Sequence, residues 1–294
     1  MTASPSRYDR YDRYDESEVP FDSSAHTMNR ISSQPAGRPG LVHLDGRRRP
    51  APPALVVVAH GSRDPRALST VRALLDRVRE QRPGLAVHLG HIELNEPLLT
   101  DTLAGLDARG TADAVLVPLL LARGHHVRRD IPETAAKARV RTRVAAPLGP
   151  HPLLAEALHA RLTEAGWCAA TTQEERRTSA VVLAAAGSRD PDSAVDTRRT
   201  AALLARRLGV PVVPAYASTA APTVPAALRA LAAQGRDRVA LASCFTAPGR
   251  FATESAAAAP GIAAAPLGTH PAMAALLLHR YDQARQPGGS VHAA

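Results

Sequence analysis

Aromatic residues, lysine and cysteine are all scarce in this sequence, and each scarcity closes off a class of function. Phe, Trp and Tyr make up 3% of 294 residues. The cores must therefore rest on Leu, Val and Ala, and a protein that stacks nucleic-acid bases on exposed aromatic platforms is disfavoured. Lys137 is the only lysine, so the formal net charge of +9 is essentially an arginine charge. Such a bias fits coding composition as readily as a field that attracts an anionic partner. No long basic run marks a nucleic-acid-binding tail; the densest cluster, Arg47, Arg48 and Arg49, falls in an apparent linker. Cys168 and Cys244 lie far apart with no CxxC pattern, which argues against a disulfide framework and a structural zinc site. No run approaches the roughly 18 apolar residues of a membrane helix, and the N-terminus has no apolar stretch of signal-peptide length. These absences predict a cytoplasmic protein with no nucleic-acid or membrane partner.

What is present reads as two α/β units. The length suits about two domains of ordinary size, each able to bury its own core. Residues 1–50 carry the low-complexity run Tyr8 to Asp15 followed by Ser, Pro and Gly. That segment has too little periodic apolar surface to offset ordering entropy and is expected to be a disordered leader. Order is predicted to begin at Leu55-Val56-Val57-Val58-Ala59, a continuous apolar run suited to a parallel strand buried on both faces. Helical spacing of Leu68, Val71, Leu74, Leu75 and Val78 follows within residues 66–82. Further strands are expected near 86–94, 114–120 and 143–147. Helices are expected over 96–108, around Asp130-Ile131-Pro132-Glu133, and over 151–165. This βα alternation predicts a parallel sheet with helices on both faces.

The pattern then repeats. Ala180-Val181-Val182-Leu183-Ala184 leads into Gly187-Ser188-Arg189-Asp190-Pro191, identical to Gly61 through Pro65. Ala145-Ala146-Pro147-Leu148-Gly149 and His151-Pro152 recur as Ala264-Ala265-Pro266-Leu267-Gly268 and His270-Pro271. The expected fold is thus a tandem duplication of a flavodoxin-like α/β domain. Its parts are 51–170, a polar linker at 171–179, 180–285, and a tail at 286–294.

In open parallel sheets, ligands bind beyond the carboxyl ends of the strands. In the first copy those ends carry His60 after strand one, His91, Glu93 and Glu96 after strand two, and His125 and His126 after strand three. Imidazoles and a carboxylate at three strand ends can converge on a divalent transition metal and can accept protons. His151 and His270 sit in the block common to both copies and read as structural, helix-start residues. The candidate ligands are missing from the second copy. Ala59-His60-Gly61 corresponds to Ala185-Ala186-Gly187, the Glu93 region to Ala217-Ser218-Thr219, and Gly124-His125-His126-Val127 to Pro248-Gly249-Arg250-Phe251. Residues needed for folding alone would be expected in both copies. One site is therefore expected, carried by the first copy, with the second closing an inter-domain cleft.

Three blocks resemble the class II chelatase family, which includes the sirohydrochlorin and cobalt chelatases. They are Ala59-His60-Gly61-Ser62-Arg63; Glu93-Leu94-Asn95-Glu96-Pro97; and Val117 to Leu121 running through Gly124-His125-His126 to Asp130-Ile131-Pro132. The resemblance implies a pair of similar α/β domains facing a cleft, and metal binding by His60, His126 and Glu93. His126 is favoured over His125 by its spacing to Asp130, with His125 an open alternative. It further implies a sirohydrochlorin chelatase that inserts a divalent metal into a planar tetrapyrrole rimmed by carboxylates. The metal is a substrate and no permanent cofactor is expected. Fe(II), giving siroheme, is the first expectation; Co(II), toward cobalamin, is the alternative. His60, Glu93 and His126 would be catalytic. Arg63, Arg123, His125, Arg128 and Arg129 would bind substrate, the arginines through rim carboxylates. The duplication supplies both halves of the cleft, so a monomer would suffice.

Two other readings compete. A histidine phosphatase would carry Arg immediately before the strand-one His, where this chain has Ala59. A non-catalytic metal or tetrapyrrole carrier would use the same ligands and differs by yielding no turnover. A dinucleotide site is disfavoured because no G-x-G-x-x-G follows strand one.

Overall fold

The structure is a computed structural model that describes residues 51–286. The expected leader, and all but the first residue of the expected tail, lie outside the described residues. β1 (Ala54–Ala59) is buried along its whole length and has strands on both sides. The first sheet is parallel, in the order β2 (Val87–His91), β1, β3 (Asp113–Pro118), β4 (Arg141–Val144). α1 (Pro65–Gln81) buries Ala67, Val71, Leu74, Leu75 and Val78. Its first turn is fixed by Asp64, whose carboxylate accepts a hydrogen bond from the Arg66 N–H, and by Pro65. α2 (Leu99–Ala108) follows β2. A single π-helical turn, His126–Asp130, runs into α3 (Ile131–Lys137) beyond β3. α4 (Pro152–Glu164) ends the first repeat.

The second repeat has the same plan with a smaller sheet. β5 (Ser179–Ala185) lies between β6 (Val212–Tyr216) and β7 (Arg238–Ser243), all parallel. The counterpart of β4 is reduced to one bridge, Leu241 to Ala263. The helices are α6 (Pro191–Leu208), α7 (Val224–Ala233), α8 (Arg250–Ala257) and α9 (Pro271–Arg285). The polar connection at 171–179 contains α5 (Gln173–Thr178), because Thr172 and Glu175 form a reciprocal capping box at its start. Three strands end earlier or lie elsewhere than the apolar runs suggested. β2 stops at His91, where the chain turns back so that the His91 N–H reaches the Pro97 carbonyl; β3 stops at Pro118; β4 occupies 141–144.

The repeats do not keep separate cores. α9, from the second repeat, packs on α1, β3 and β4, whereas α4, from the first, packs on α6 and β7. One core cluster accordingly runs from Leu55, Val57 and Leu74 through Leu158 to Leu183, Leu204 and Tyr281. Fully buried Tyr281 donates its hydroxyl to the Pro53 carbonyl at 2.6 Å, and Arg82 makes a two-pronged ion pair with Asp282 at 2.6 and 2.7 Å. Smaller clusters cover the outer face of each sheet. The two repeats thus share one core, because their terminal helices are exchanged. Among the described residues, no helix is long and apolar enough to cross a membrane.

Candidate active site

His60 leaves the buried β1 at its carboxyl end, and Gly61 lets the next loop approach. Gly61 has φ +104°, and a Cβ there would lie 1.9 Å from the Glu93 carbonyl oxygen, so only glycine fits. The approach is sealed by the Glu93 N–H donating to the His60 carbonyl at 3.0 Å and the Ser62 N–H donating to Asn95 Oδ1 at 2.7 Å. As a result His60 Nε2 stands 3.6 Å from Glu93 Oε1. Leu94, next along, has φ +68° and is 50% exposed. A branched apolar side chain on a left-handed backbone is a strained combination.

The π-helical turn delivers the second imidazole. The Ile131 N–H closes the wide turn onto the His126 carbonyl. The His126 ring meets the His60 ring edge to face, with centroids 4.7 Å apart. His126 Nδ1 lies 2.5 Å from Asp130 Oδ2, and His125 Nε2 lies 3.4 Å from Asp130 Oδ1. A carboxylate can only accept, so in this pairing Nδ1 of His126 carries the hydrogen and Nε2 keeps a free lone pair. Asp130 was not among the expected site residues. Its i,i+4 spacing from His126 serves in the sequence only to choose between the two histidines, although the same spacing places the two side chains on one helical face. Two imidazoles with a carboxylate alongside can take up a divalent ion in an open site and can accept protons. Among the described residues, no three His, Cys, Asp or Glu side chains are already gathered around one point.

The arginines divide into two groups. Arg63 and Arg129 are exposed and have no ion-pair partner among the described residues. Arg129 and His125 line a cavity of about 680 Å³ with Gly187, Ser188, Arg189, Ser218 and Thr219 of the second repeat. Arg123 and Arg128, also expected to bind substrate carboxylates, lie against acids of the second repeat, and Arg128 lines the same cavity as Arg129. Arg123 is engaged by Asp196 and Asp192, and Arg128 by Asp190 and Asp192. No sequence signal linked these partners, which lie more than sixty residues away.

The second repeat mirrors the scaffold without the chemistry. Gly187, at φ +89°, approaches the Ser218 carbonyl as Gly61 approaches Glu93. Thr219 has a positive φ of 54°, like Leu94. The Thr253 N–H bonds the Gly249 carbonyl as the Arg128 N–H bonds that of Gly124, both at 3.0 Å. The structural register thus sets Arg250 and Phe251 opposite His125 and His126, one residue away from the pairing written from sequence. Ala186 replaces His60 and Ser218 replaces Glu93. His151 and His270 are helix caps: Nδ1 of each accepts a main-chain hydrogen bond, from Leu153 at 3.1 Å and from Ala272 at 3.2 Å. His91 is buried, with Nδ1 3.2 Å from the Pro97 carbonyl oxygen, and burial lowers its pKa.

Similarities to known proteins follow the two repeats. The CbiX family model matches residues 54–165 and 180–284. A sirohydrochlorin cobaltochelatase of Methanococcus aeolicus is 36% identical over 80 residues, covering 27% of this chain and 56% of the relative. One from Methanococcoides burtonii is 28% identical over 123 residues, covering 37% of this chain and 94% of the relative. The chain spans a little over half the length of the Methanococcus relatives. Bacillus subtilis SirB with Fe3+ superposes with a TM-score of 0.63 at 22% identity, covering 79% of this chain and 95% of that one. CbiX, described as the terminal enzyme for siroheme biosynthesis in denitrifying bacteria, superposes at 0.57 and 22%, covering 79% and 100%. At these identities the structural likeness is one of fold.

Proposed function

Since the chain belongs to the CbiX family, we propose that it is a sirohydrochlorin chelatase whose active site lies in the first repeat and faces the second. The observation that carries this reading is the meeting of His60, from the end of β1, with His126, from the π-helical turn, at 4.7 Å beside Glu93. Insertion replaces two pyrrole N–H protons with one divalent ion, so a site must present the ion and receive protons. His126, oriented through Nδ1 by Asp130, offers Nε2 to the ion; His60 is the second nitrogen ligand. Glu93 is the third ligand or takes up a proton at its carboxylate. A site of few ligands holds a metal loosely enough to surrender it to the tetrapyrrole.

The substrate's carboxylate rim would be read by Arg63 from the first repeat and by Arg129 beside the cavity, with His125 as a further polar contact. Arg189 joins them. It occupies in the second repeat the position of Arg63 in the first, is exposed, and lines the same cavity. Arginines on both sides suit a ring carrying carboxylates around its edge. Leu94, half exposed beside Glu93, offers an apolar contact to the ring face.

The metal is proposed to be Fe(II), giving siroheme. Imidazole and carboxylate ligands also accept Co(II), and the relatives named cobaltochelatases favour that second reading. The test mixes purified protein with anaerobic sirohydrochlorin and either metal, and follows the absorbance change of insertion against a protein-free control. Multiple turnovers that collapse in His60→Ala and His126→Ala are expected, with Fe(II) faster than Co(II). Faster turnover with Co(II) would replace iron by cobalt. No acceleration with either metal, from folded protein, would overturn the enzyme reading, and one metallated product per chain would identify a carrier.

A further inference from the structure

The segment bearing His125 and His126 is gripped at both ends by the other repeat. At its start, the Arg123 main-chain N–H and Nε both donate to Asp196 Oδ2 at 2.9 Å, Nη2 donates to Asp196 Oδ1 at 2.7 Å, and Nη1 donates to Asp192 Oδ2 at 3.1 Å. Beyond the histidines, Arg128 pairs with Asp190 through Nε at 3.2 Å and with Asp192 through Nη2. All three acids belong to the start of α6. Asp190 caps that helix, accepting from the Asp192 N–H at 2.9 Å, and Asp196 is only 1% exposed. A carboxylate this deeply buried is costly unless paired. Here it is met by three donors of a single arginine, and the same hydrogen bonds raise the Arg123 pKa.

The duplication provides an internal control. With Gly124 opposite Gly249, Arg123 corresponds to Pro248 and Arg128 to Thr253. With Asp190 opposite Asp64, Asp192 corresponds to Arg66 and Asp196 to Thr70. The neutral packing is reciprocal: a Cβ on Gly124 would lie 3.5 Å from Ser188 Oγ, and one on Gly249 would lie 3.9 Å from Ser62 Oγ. The charged grip is not. It runs only from the acids of the second repeat to the loop that carries the histidines. A clamp needed for joining the repeats alone would have no reason to be confined to that side.

We propose that Asp196 and Asp192 are positioning residues, and that the second repeat serves the reaction by holding the Arg123–Arg128 segment so that His126 stays against His60. This rests on the reading of those histidines as the metal-handling pair. Misplacement of a reacting group by about 1 Å can cost on the order of 100-fold in rate.

The test uses the full chain with Arg123→Ala, Asp196→Asn and the double variant. Amide hydrogen exchange is measured across the chain, with metal-insertion kinetics alongside. The expected result is faster exchange confined to residues 119–131 and the start of α6. kcat should fall about 10- to 100-fold while KM for the tetrapyrrole moves little, with the double variant no worse than the worse single. Unchanged exchange in that segment would overturn the clamp. So would additive losses in kcat, or losses that follow global melting. If wild-type protein shows no turnover, the chelatase reading fails, and the exchange pattern still decides whether these acids hold the loop.

Discussion

Nδ1 of His126 lies 2.5 Å from Oδ2 of Asp130, in a hydrogen bond that selects which ring nitrogen is free. Replacing the acid changes the tautomer preference and the ring's orientation without touching any ligand atom. Asp130→Asn offers His126 an amide that can donate as well as accept, and Asp130→Ala removes the partner. Both should weaken Co(II) binding by about 10- to 100-fold, read by titration of the cobalt absorbance bands. Unaltered affinity in both variants would mean that His126 needs no such support or does not bind the ion.

Much of the candidate site is legible in the sequence. The apolar run Leu55 to Ala59 sets His60 at a strand end, and the recurrence of His151 and His270 in both copies marks them as structural. Contacts between repeats were not legible. Nothing near Arg123 in the chain indicates that a carboxylate seventy-three residues away, Asp196, will be its partner. Nor does apolar periodicity say which sheet α9 covers, because a helix's buried stripe fits either sheet of a duplicated fold. β2 ends before its apolar pattern does for a local reason: Ile92 and Leu94 continue the pattern, but Leu94 turns the backbone left-handed.

Leu94 combines strain with exposure, and the two make separable predictions. Asn tolerates a left-handed backbone better than Leu. Leu94→Asn should therefore melt within about 3 °C of wild type, the scale of 1 kcal/mol for a chain of this size. KM for the tetrapyrrole should rise severalfold as the apolar contact is lost. A larger drop in melting temperature with unchanged KM would make Leu94 a packing residue instead.

The exchanged helices predict that neither repeat folds by itself. A chain of residues 51–178 keeps β1, β3 and β4 but loses α9, exposing the face that buries Tyr281. Each half expressed separately should lack a cooperative thermal transition, and mixing the two halves should restore one. In the intact chain, Tyr281→Phe should cost about 1 kcal/mol, the worth of its hydroxyl bond to the Pro53 carbonyl. A cooperative melt from the isolated first half would contradict the exchange.

Acid should destabilise the fold before its carboxylates titrate. His151 is pushed down from 6.5 to about 4, first by burial and then by the neighbouring charges of Arg280 and His279. Burial also lowers His88, His91 and His270. Each of these groups stays neutral in the folded chain at a pH where the unfolded chain binds a proton. Their contribution to stability is therefore complete above about pH 6.5 and is lost progressively as pH falls toward 4. Glu175 works at lower pH, since hydrogen bonds from Thr171 hold it near 2. The measurement is melting temperature from pH 7.5 to 4.5 for wild type and His151→Asn, the replacement being a strong N-cap that keeps the α4 start satisfied. The wild-type curve should fall across this range, and the variant's should fall less steeply. Parallel curves would show that His151 titrates alike in the folded and unfolded chains, placing the acid sensitivity elsewhere.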